Sequence, residues 1–417
     1  MNARAPEPAP VKLLATVRVL DLTNVLAGPF ASYQLALLGA DVIKVETPGS
    51  GDLARQLGSD ARLNAEKMGA SFIAQNAGKR SITINLKTTA GKEAFTALVK
   101  SADVLVENFR PGVLARLGFS ADELHRIQPS LIYCAVSGFG ATGPLRDRPA
   151  YDQIIQGLSG MMSATGTEET GPMRAGYPLA DTLGGAAAAF AISAALYHRA
   201  RTGDGVSIDI SMLETALTSM GWVVSNYLLA GKEPVPMGNE NFTAAPSGTF
   251  RTREGLLNIS ANEQSQFERL CTVLNASELI THPRFSERES RKQNRHELRR
   301  ELETALARDT AENWEHILST VGVPVGRVLP VALALDHEQI RQRNLVHEVR
   351  MVPWDSGIED EASGRTVSVL GHGIHVDGGT SAPLSGPPRL GQHTEEVLSE
   401  VGFSEHDIER LRSEGGI

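Results

Sequence analysis

The chain has 417 residues, 41% apolar and 21% charged, with a formal net charge of -9. That size and composition describe a soluble globular protein with material for two cores, and the acidic balance excludes a surface built for the phosphate backbone of nucleic acid while allowing a local basic pocket. Cys134 and Cys271 lie far apart with no companion at metal-ligand spacing, so neither a disulfide framework nor a zinc site is expected, and a reducing, cytoplasmic setting is.

The first ten residues form an Ala/Pro/Glu tail without the basic and long apolar parts of an export signal, and a flexible segment is expected over residues 1–16. Organisation begins with the strand Val17 to Leu22, the turn Ala27-Gly28-Pro29, an apolar-periodic helix to Leu38 stopped by Gly39, and a strand over Asp41 to Glu46. The unit recurs as strand Ser81 to Leu86, helix Thr89 to Ser101 and strand Asp103 to Glu107, then as helix Ser120 to Ile127 and strand Leu131 to Val136. Strands alternating with helices of this length require parallel crossovers, so the fold class is α/β with a Rossmann-like open parallel sheet.

Thr182 to His198 is uncharged and rich in Ala and Gly. It is shorter than the ~20 residues of a membrane span and poor in Leu and Ile, which predicts a tightly packed buried helix and no membrane association. A turn at Arg201 to Gly205 leads into a strand over Val206 to Ile210 and a helix from about Met212 to Leu229. Residues 231–248, rich in Pro, Gly and Asn, predict a linker. A more charged, helical small domain is expected over 249–321, where Ser286 to Arg308 reads as a solvated helix face. Gly322 to Gly326 then returns the chain, so residues 17–230 and 322–417 build the large domain.

Several positions carry chemistry. Asp181 follows Gly176 to Ala180 at the mouth of the apolar helix. An acid there lies in the positive end of the helix field, which keeps it ionised and able to attack an electrophile, although the position also suits a simple N-cap. Gly138-Phe139-Gly140-Ala141-Thr142-Gly143 matches a dinucleotide-binding turn, but Pro144 follows at once and no helix opens on the third glycine, so no nicotinamide cofactor is expected. Glu107 to Gly112 ends a strand where open parallel sheets bind ligands, and Asn108, Phe109, Arg110 and Arg116 offer an amide, an apolar face and phosphate-binding charges. Lys79, Arg80 and Lys87 read as solvated basic residues. His372 and His375 lack acidic or thiol partners at ligand spacing, so no metal is assigned, and no Gly-x-Ser-x-Gly elbow is present. Arg174, seven residues before Asp181, is a candidate clamp for a second carboxylate or a solvent-facing loop residue.

Taken together, Val19-Leu20-Asp21-Leu22-Thr23, Ala27-Gly28-Pro29, Leu38 to Glu46, Gly51-Asp52, Lys79-Arg80-Ser81, Leu86-Lys87, Glu107 to Gly112, Ser137 to Gly140, Tyr151-Asp152, Ala180-Asp181 and Pro388 to Thr394 resemble the family III CoA-transferases. The resemblance runs from roughly Val17 to Val401. It implies that Asp181 attacks an acyl-CoA thioester and carries the cargo as an anhydride and then as an aspartyl-CoA thioester, chemistry that only a carboxylate supports reversibly without metal or nucleotide. It further implies coenzyme A contacts at Val25, Leu26 and Ala27, at Ile84, Asn85, Leu86 and Lys87, at Asn108, Phe109, Arg110 and Arg116, and at Ala150, Tyr151 and Asp152. The amides of Gly138, Phe139 and Gly140 and of the Ala27-Gly28 turn become candidate oxyanion donors. An interlocked homodimer of ring-like protomers is implied as well, with a small carboxylic acid as the second substrate.

Three departures bear on substrate choice. Leu26 and Thr47 stand where formyl-CoA transferases carry glutamine and a basic residue, and Asn262 to Gln266 replaces their tetraglycine loop, so oxalate with formyl-CoA is not the expected pair. Racemases acting on 2-methylacyl-CoA share the fold but use a histidine where this chain has Tyr151, which makes racemization the alternative and transfer the expectation.

Overall fold

The computed structural model describes residues 11–351 and 365–417. The expected tail at residues 1–16 therefore lies outside the description up to residue 10. The described residues fall into two compact units, one comprising residues up to Met161, Arg174–Lys232 and Glu338–Ile417, the other Met162–Met173 and Glu233–His337.

The first unit is built on a six-stranded sheet of β1 (Arg18–Asp21), β2 (Asp41–Glu46), β3 (Arg80–Thr83), β4 (Val104–Glu107), β5 (Ile132–Ser137) and β6 (Val206–Ser211). The order is β3-β2-β1-β4-β5-β6 and every pairing is parallel, which is the doubly wound order. Successive residues of the strands face opposite sides. Val19, Val42, Val104 and Val106 join a core shared with helices Ala27–Leu37 and Leu179–Thr202. Leu20, Ile43, Ile82 and Leu105 join a second core with helix Thr89–Ser101 and the C-terminal helices Thr394–Glu400 and Glu405–Ser413. Burial on both faces explains why these strands are continuous apolar runs.

Some expectations need correction. The Ala/Gly-rich helix spans 24 residues and buries only one face, through Ala180, Gly184, Gly185, Ala188, Ile192 and Ala195, while Phe190 and Tyr197 remain 78% and 67% exposed. By length and composition alone it could cross a membrane, a test that the core helix of a soluble protein also passes. Small residues on every side gave its sequence no polar stripe from which to read the outer face. The single helix expected from Met212 is two, Met212–Ser219 and Gly221–Ala230, broken where Met220 leaves helical geometry and Gly221 weakens propagation. Lys79, expected at the surface, is 1% exposed, and Arg80 pairs with Asp41, Glu396 and Glu400.

The second unit contains an antiparallel three-stranded sheet of β7 (Ser247–Arg251), β8 (Leu256–Ser260) and β9 (Val325–Arg327), with helices closing its core. The charged run Ser286 to Arg308 is not wholly solvated. Arg291 is buried, donates to the carbonyls of Ala245 (3.0 Å) and Phe285 (2.9 Å), and lies 4.3 Å from the Phe267 ring. An arginine interior to a core is legible only from the carbonyls it satisfies, which are distant in sequence.

Candidate active site

A cavity of about 330 Å³ opens in the first unit. Its walls come from the chain after β1 (Asn24 to Ala27), after β4 (Asn108 to Pro111) and after β5 (Ser137 to Phe139), joined by Leu53, Arg146, Arg148, Ala150, Tyr151, Asp181 and Met212. Strands β1 and β4 are neighbours whose connections run to opposite sides of the sheet, and the crevice beyond their carboxyl ends is where such folds bind ligands.

The turn after β1 is held by buried charge. Val25 has φ +68°, a costly conformation for a β-branched residue. Its N–H donates to Asp52 Oδ1 (3.0 Å), and the Asn108 side chain clamps Asn24 on both sides, accepting from its N–H and donating to its C=O at 2.8 Å each. Asp52 is paired with Lys44 (2.9 Å), Lys44 donates to Thr23 O (2.8 Å), and Asp21 receives Lys79 (2.9 Å) and Ser32 Oγ (2.6 Å). Glu46 meets Arg55 through two bonds of 2.6 and 2.7 Å. The motif residues Asp21, Lys44, Glu46, Asp52 and Lys79 are thus one buried network behind the Val25 turn. Burial alone would raise the Asp21 carboxyl, but Lys44 and Lys79, helped by two hydroxyls, hold it well below the usual carboxylate range. Lys79 is pushed down to about 8, chiefly by burial.

Asp181 occupies the third position of its helix, whose N-cap Pro178 offers no side-chain bond. Gly185 allows the helix to approach Ala27, since a Cβ there would lie 2.4 Å from the Ala27 carbonyl oxygen. Asp181 is not the N-cap. Asp152 Oδ1 accepts from the amides of Ala180 (2.8 Å) and Asp181 (3.3 Å) instead. The expectation that the helix field keeps Asp181 ionised fails for the same reason: the first free amides already serve another carboxylate. Burial, and then the Asp152 charge, pushes the Asp181 carboxyl up to about 7.

Of the residues expected to hold coenzyme A, Val25, Leu26, Ala27, Asn108, Phe109, Arg110, Ala150 and Tyr151 line the cavity. Ile84 is core, Asn85 is tied to the C-terminal chain through Gly416 O (2.8 Å), and Leu86 packs on that core. Lys87 and Arg116 are exposed outside the cavity. Asp152 is buried, with Oδ2 accepting from Gln156 Nε2 (2.7 Å). Gly138 lines the cavity and has no room for a side chain, because a Cβ would lie 2.4 Å from that of Ala150. Gly140 does not fit the oxyanion expectation: its N–H donates to Ser137 Oγ at 3.0 Å. Arg174 lies off the cavity wall and its Nε donates to Ala175 O (3.0 Å).

The cavity also contains residues that the sequence reading passed over. Arg146 and Arg148 had no signal beyond a charged loop, and Met212 was visible only as a helix start. Glu107, buried just behind, accepts from Tyr133 Oη (2.7 Å) and Phe109 N (2.6 Å), which fixes the Phe109 turn, and burial pushes its carboxyl up to about 7. Both cysteines are free and buried. Among the described residues no three His, Cys, Asp or Glu side chains converge as a metal site.

A doubly wound sheet whose switch-point cavity joins one half-buried carboxylate to several arginines defines an α/β enzyme suited to anionic substrates. The chain belongs to the CoA-transferase family III, which it matches over residues 14–394. It is 36% identical over 408 residues to succinyl-CoA:glutarate CoA-transferase of Mus musculus, covering 98% of this chain and 91% of that one. It is 42% identical over 329 residues to acetyl-CoA:oxalate CoA-transferase of Acetobacter aceti, covering 79% and 84%. A CAIB/BAIF family protein from Brucella suis superposes with TM-score 0.79 at 34% identity, covering 93% and 98%.

Proposed function

We propose that this CoA-transferase moves CoA from an acyl-CoA thioester to a short dicarboxylic acid through covalent intermediates on Asp181. The observation that carries the reading is a single carboxylate on the cavity wall with no histidine among the lining residues. The Asp181 carboxylate attacks the thioester carbonyl, giving a mixed anhydride and CoA thiolate. Thiolate attacks the aspartyl carbonyl, the donor acid leaves as carboxylate, and an aspartyl-CoA thioester remains. The acceptor carboxylate repeats the exchange in reverse order, and thiolate takes the new acyl group and restores Asp181. Each step creates an oxyanion beside the Gly138-Phe139 and Ala27-Gly28 backbone, whose amides are the proposed donors.

Arg110 and Arg148 line the cavity without an ion-pair partner among the described residues. We assign Arg110, with exposed Arg116 and Lys87, to the phosphates of coenzyme A, and Arg148, in place of Arg174, to the second carboxylate of the acceptor. Arg148→Ala is expected to raise KM for a dicarboxylate acceptor about 10- to 100-fold and to leave KM for acyl-CoA nearly unchanged, with Arg110→Ala doing the converse. Steady-state kinetics with each substrate varied checks this. Racemization gains no support, because Tyr151 offers a phenol where an imidazole base is needed.

We also propose that the protein is an interlocked cytoplasmic homodimer. Trp222, Leu228 and Leu229 are 75%, 73% and 87% exposed, and these large apolar side chains, like those of Phe190 and Tyr197, are ones that a second copy would cover. Sedimentation is expected to give twice 44.7 kDa; a monomer at micromolar concentration contradicts it. Substrate class is tested by mixing succinyl-, acetyl- and formyl-CoA with free succinate, glutarate, oxalate, acetate and formate and reading the CoA products by mass spectrometry. Hydrolysis alone, or exchange restricted to monocarboxylates, would reject the reading.

A further inference from the structure

We propose that Asp152 is a positioning residue for the transfer reaction: it binds no coenzyme A and instead caps the helix that carries Asp181, taking up the first-turn amides and setting a second carboxylate beside the nucleophile. The inference rests on the reading of Asp181 as nucleophile.

Three features of the geometry support it. First, Asp152 Oδ1 accepts from the amides of both Ala180 and Asp181 (2.8 and 3.3 Å), which are the donors that would otherwise solvate an acid at this helix end. Second, its other oxygen is bound by Gln156 Nε2 at 2.7 Å, and Gln156 reaches onward, donating to Tyr177 O (3.3 Å) and accepting from Ala175 N (2.9 Å). One carboxylate and one amide therefore tie helix Asp152–Leu158, the loop before Asp181 and the first turn of Leu179–Thr202 into a single unit. Third, Asp152 is 8% exposed and absent from the cavity wall, so no substrate atom reaches it, whereas the adjacent Tyr151 is on that wall.

The consequence is electrostatic. A buried negative charge one cap away from Asp181 opposes its ionisation, and the cap removes the amides that would favour it. Burial and the Asp152 charge act together on the Asp181 carboxyl, which titrates at about 7. The charged groups around it are few. Helix Asp152–Leu158 contributes Asp152 alone, Met212–Ser219 contributes exposed Glu214, and the cavity wall contributes Arg110, Arg146, Arg148 and the Tyr151 phenol. A carboxylate of raised basicity is a better nucleophile toward a thioester once ionised, and as the conjugate base of a weaker acid it is expelled from its anhydride less readily than one built on a stronger acid.

Asp152→Asn keeps an oxygen toward the two amides and removes the charge. Asp152→Ser keeps a neutral capping hydroxyl and serves if the asparagine variant does not fold. The protonated-carboxyl infrared band of Asp181, identified by its loss in Asp181→Asn, is titrated in each free enzyme. Its midpoint is expected near pH 7 in the parent and about one unit lower in either Asp152 variant. The pH profile of CoA exchange should follow, so that the variant-to-parent rate ratio rises about fivefold between pH 8 and pH 6 as the parent protonates first. A purely structural cap would lower the rate without moving either midpoint. An unmoved midpoint in a folded variant overturns the proposal, and leaves the nucleophile reading standing as long as Asp181→Ala remains inactive.

Discussion

Asp181→Ala is expected to lower CoA exchange by about 10⁴-fold or more while leaving the fold intact. The size follows from the role: with no other carboxylate on the cavity wall, nothing can accept the acyl group, and the residual rate is that of solution exchange near bound substrate. Stability should change little, since the Asp181 side chain makes no capping bond and its removal relieves a half-buried carboxyl of desolvation and of the Asp152 charge. Acyl-CoA should still bind, because Arg110 and the Val25 to Ala27 turn are untouched. Near-parent KM with almost no kcat is the signature of lost covalent chemistry, and rates within tenfold of the parent would remove Asp181 from the mechanism.

The largest effect on stability is expected from Asp21→Ala. Asp21 is fully buried and receives Lys79 at 2.9 Å, Ser32 Oγ at 2.6 Å and the Thr23 amide at 2.9 Å, with Lys44 at 4.0 Å. Its removal leaves buried Lys79 without a carboxylate, held only by the neutral acceptors Asn76 Oδ1, Ser32 Oγ and Pro29 O, and leaves Asp52 as the carboxylate paired with Lys44. Breaking one side of a buried pair costs roughly 3–5 kcal/mol, a large share of the ~5–15 kcal/mol that holds an ordinary domain together. A strongly lowered urea midpoint, or failure to accumulate, is the expected outcome, against almost no shift for Arg148→Ala. The pH dependence has a definite sign. The Asp21 carboxyl titrates below its unfolded value, so its contribution is complete above about pH 4 and fades as pH falls further, where parent and Asp21→Asn should converge. A midpoint difference that persists unchanged into acid would show that the carboxylate charge is not what stabilises the site.

The sheet was legible because its central strands β1, β2 and β4 are buried on both faces and write their runs plainly, and because glycine stops and Ser or Thr caps mark the intervening helices. Position within the sheet also told where to look: Asn108 to Arg110 and Val25 to Ala27 follow the two strands at the switch point. Roles within that region were less legible. Asp152 and Asn108 carry groups that suit a ligand, and only three-dimensional contacts reveal that their polar atoms are already taken by Ala180, Asp181, Gln156 and Asn24. Lys79 looked solvated because its partner Asp21 is 58 residues away. The charge state of Asp181 was misjudged for the same reason, since helix polarity is local in sequence whereas the competing carboxylate and the burial are not.

The most direct test is to mix the enzyme with an acyl-CoA donor, quench with hydroxylamine during turnover, digest, and map modified peptides by mass spectrometry. A hydroxamate confined to Asp181, formed only with acyl-CoA present and absent from Asp181→Asn, is the result predicted. Sustained CoA exchange with Asp181 never modified would contradict the account.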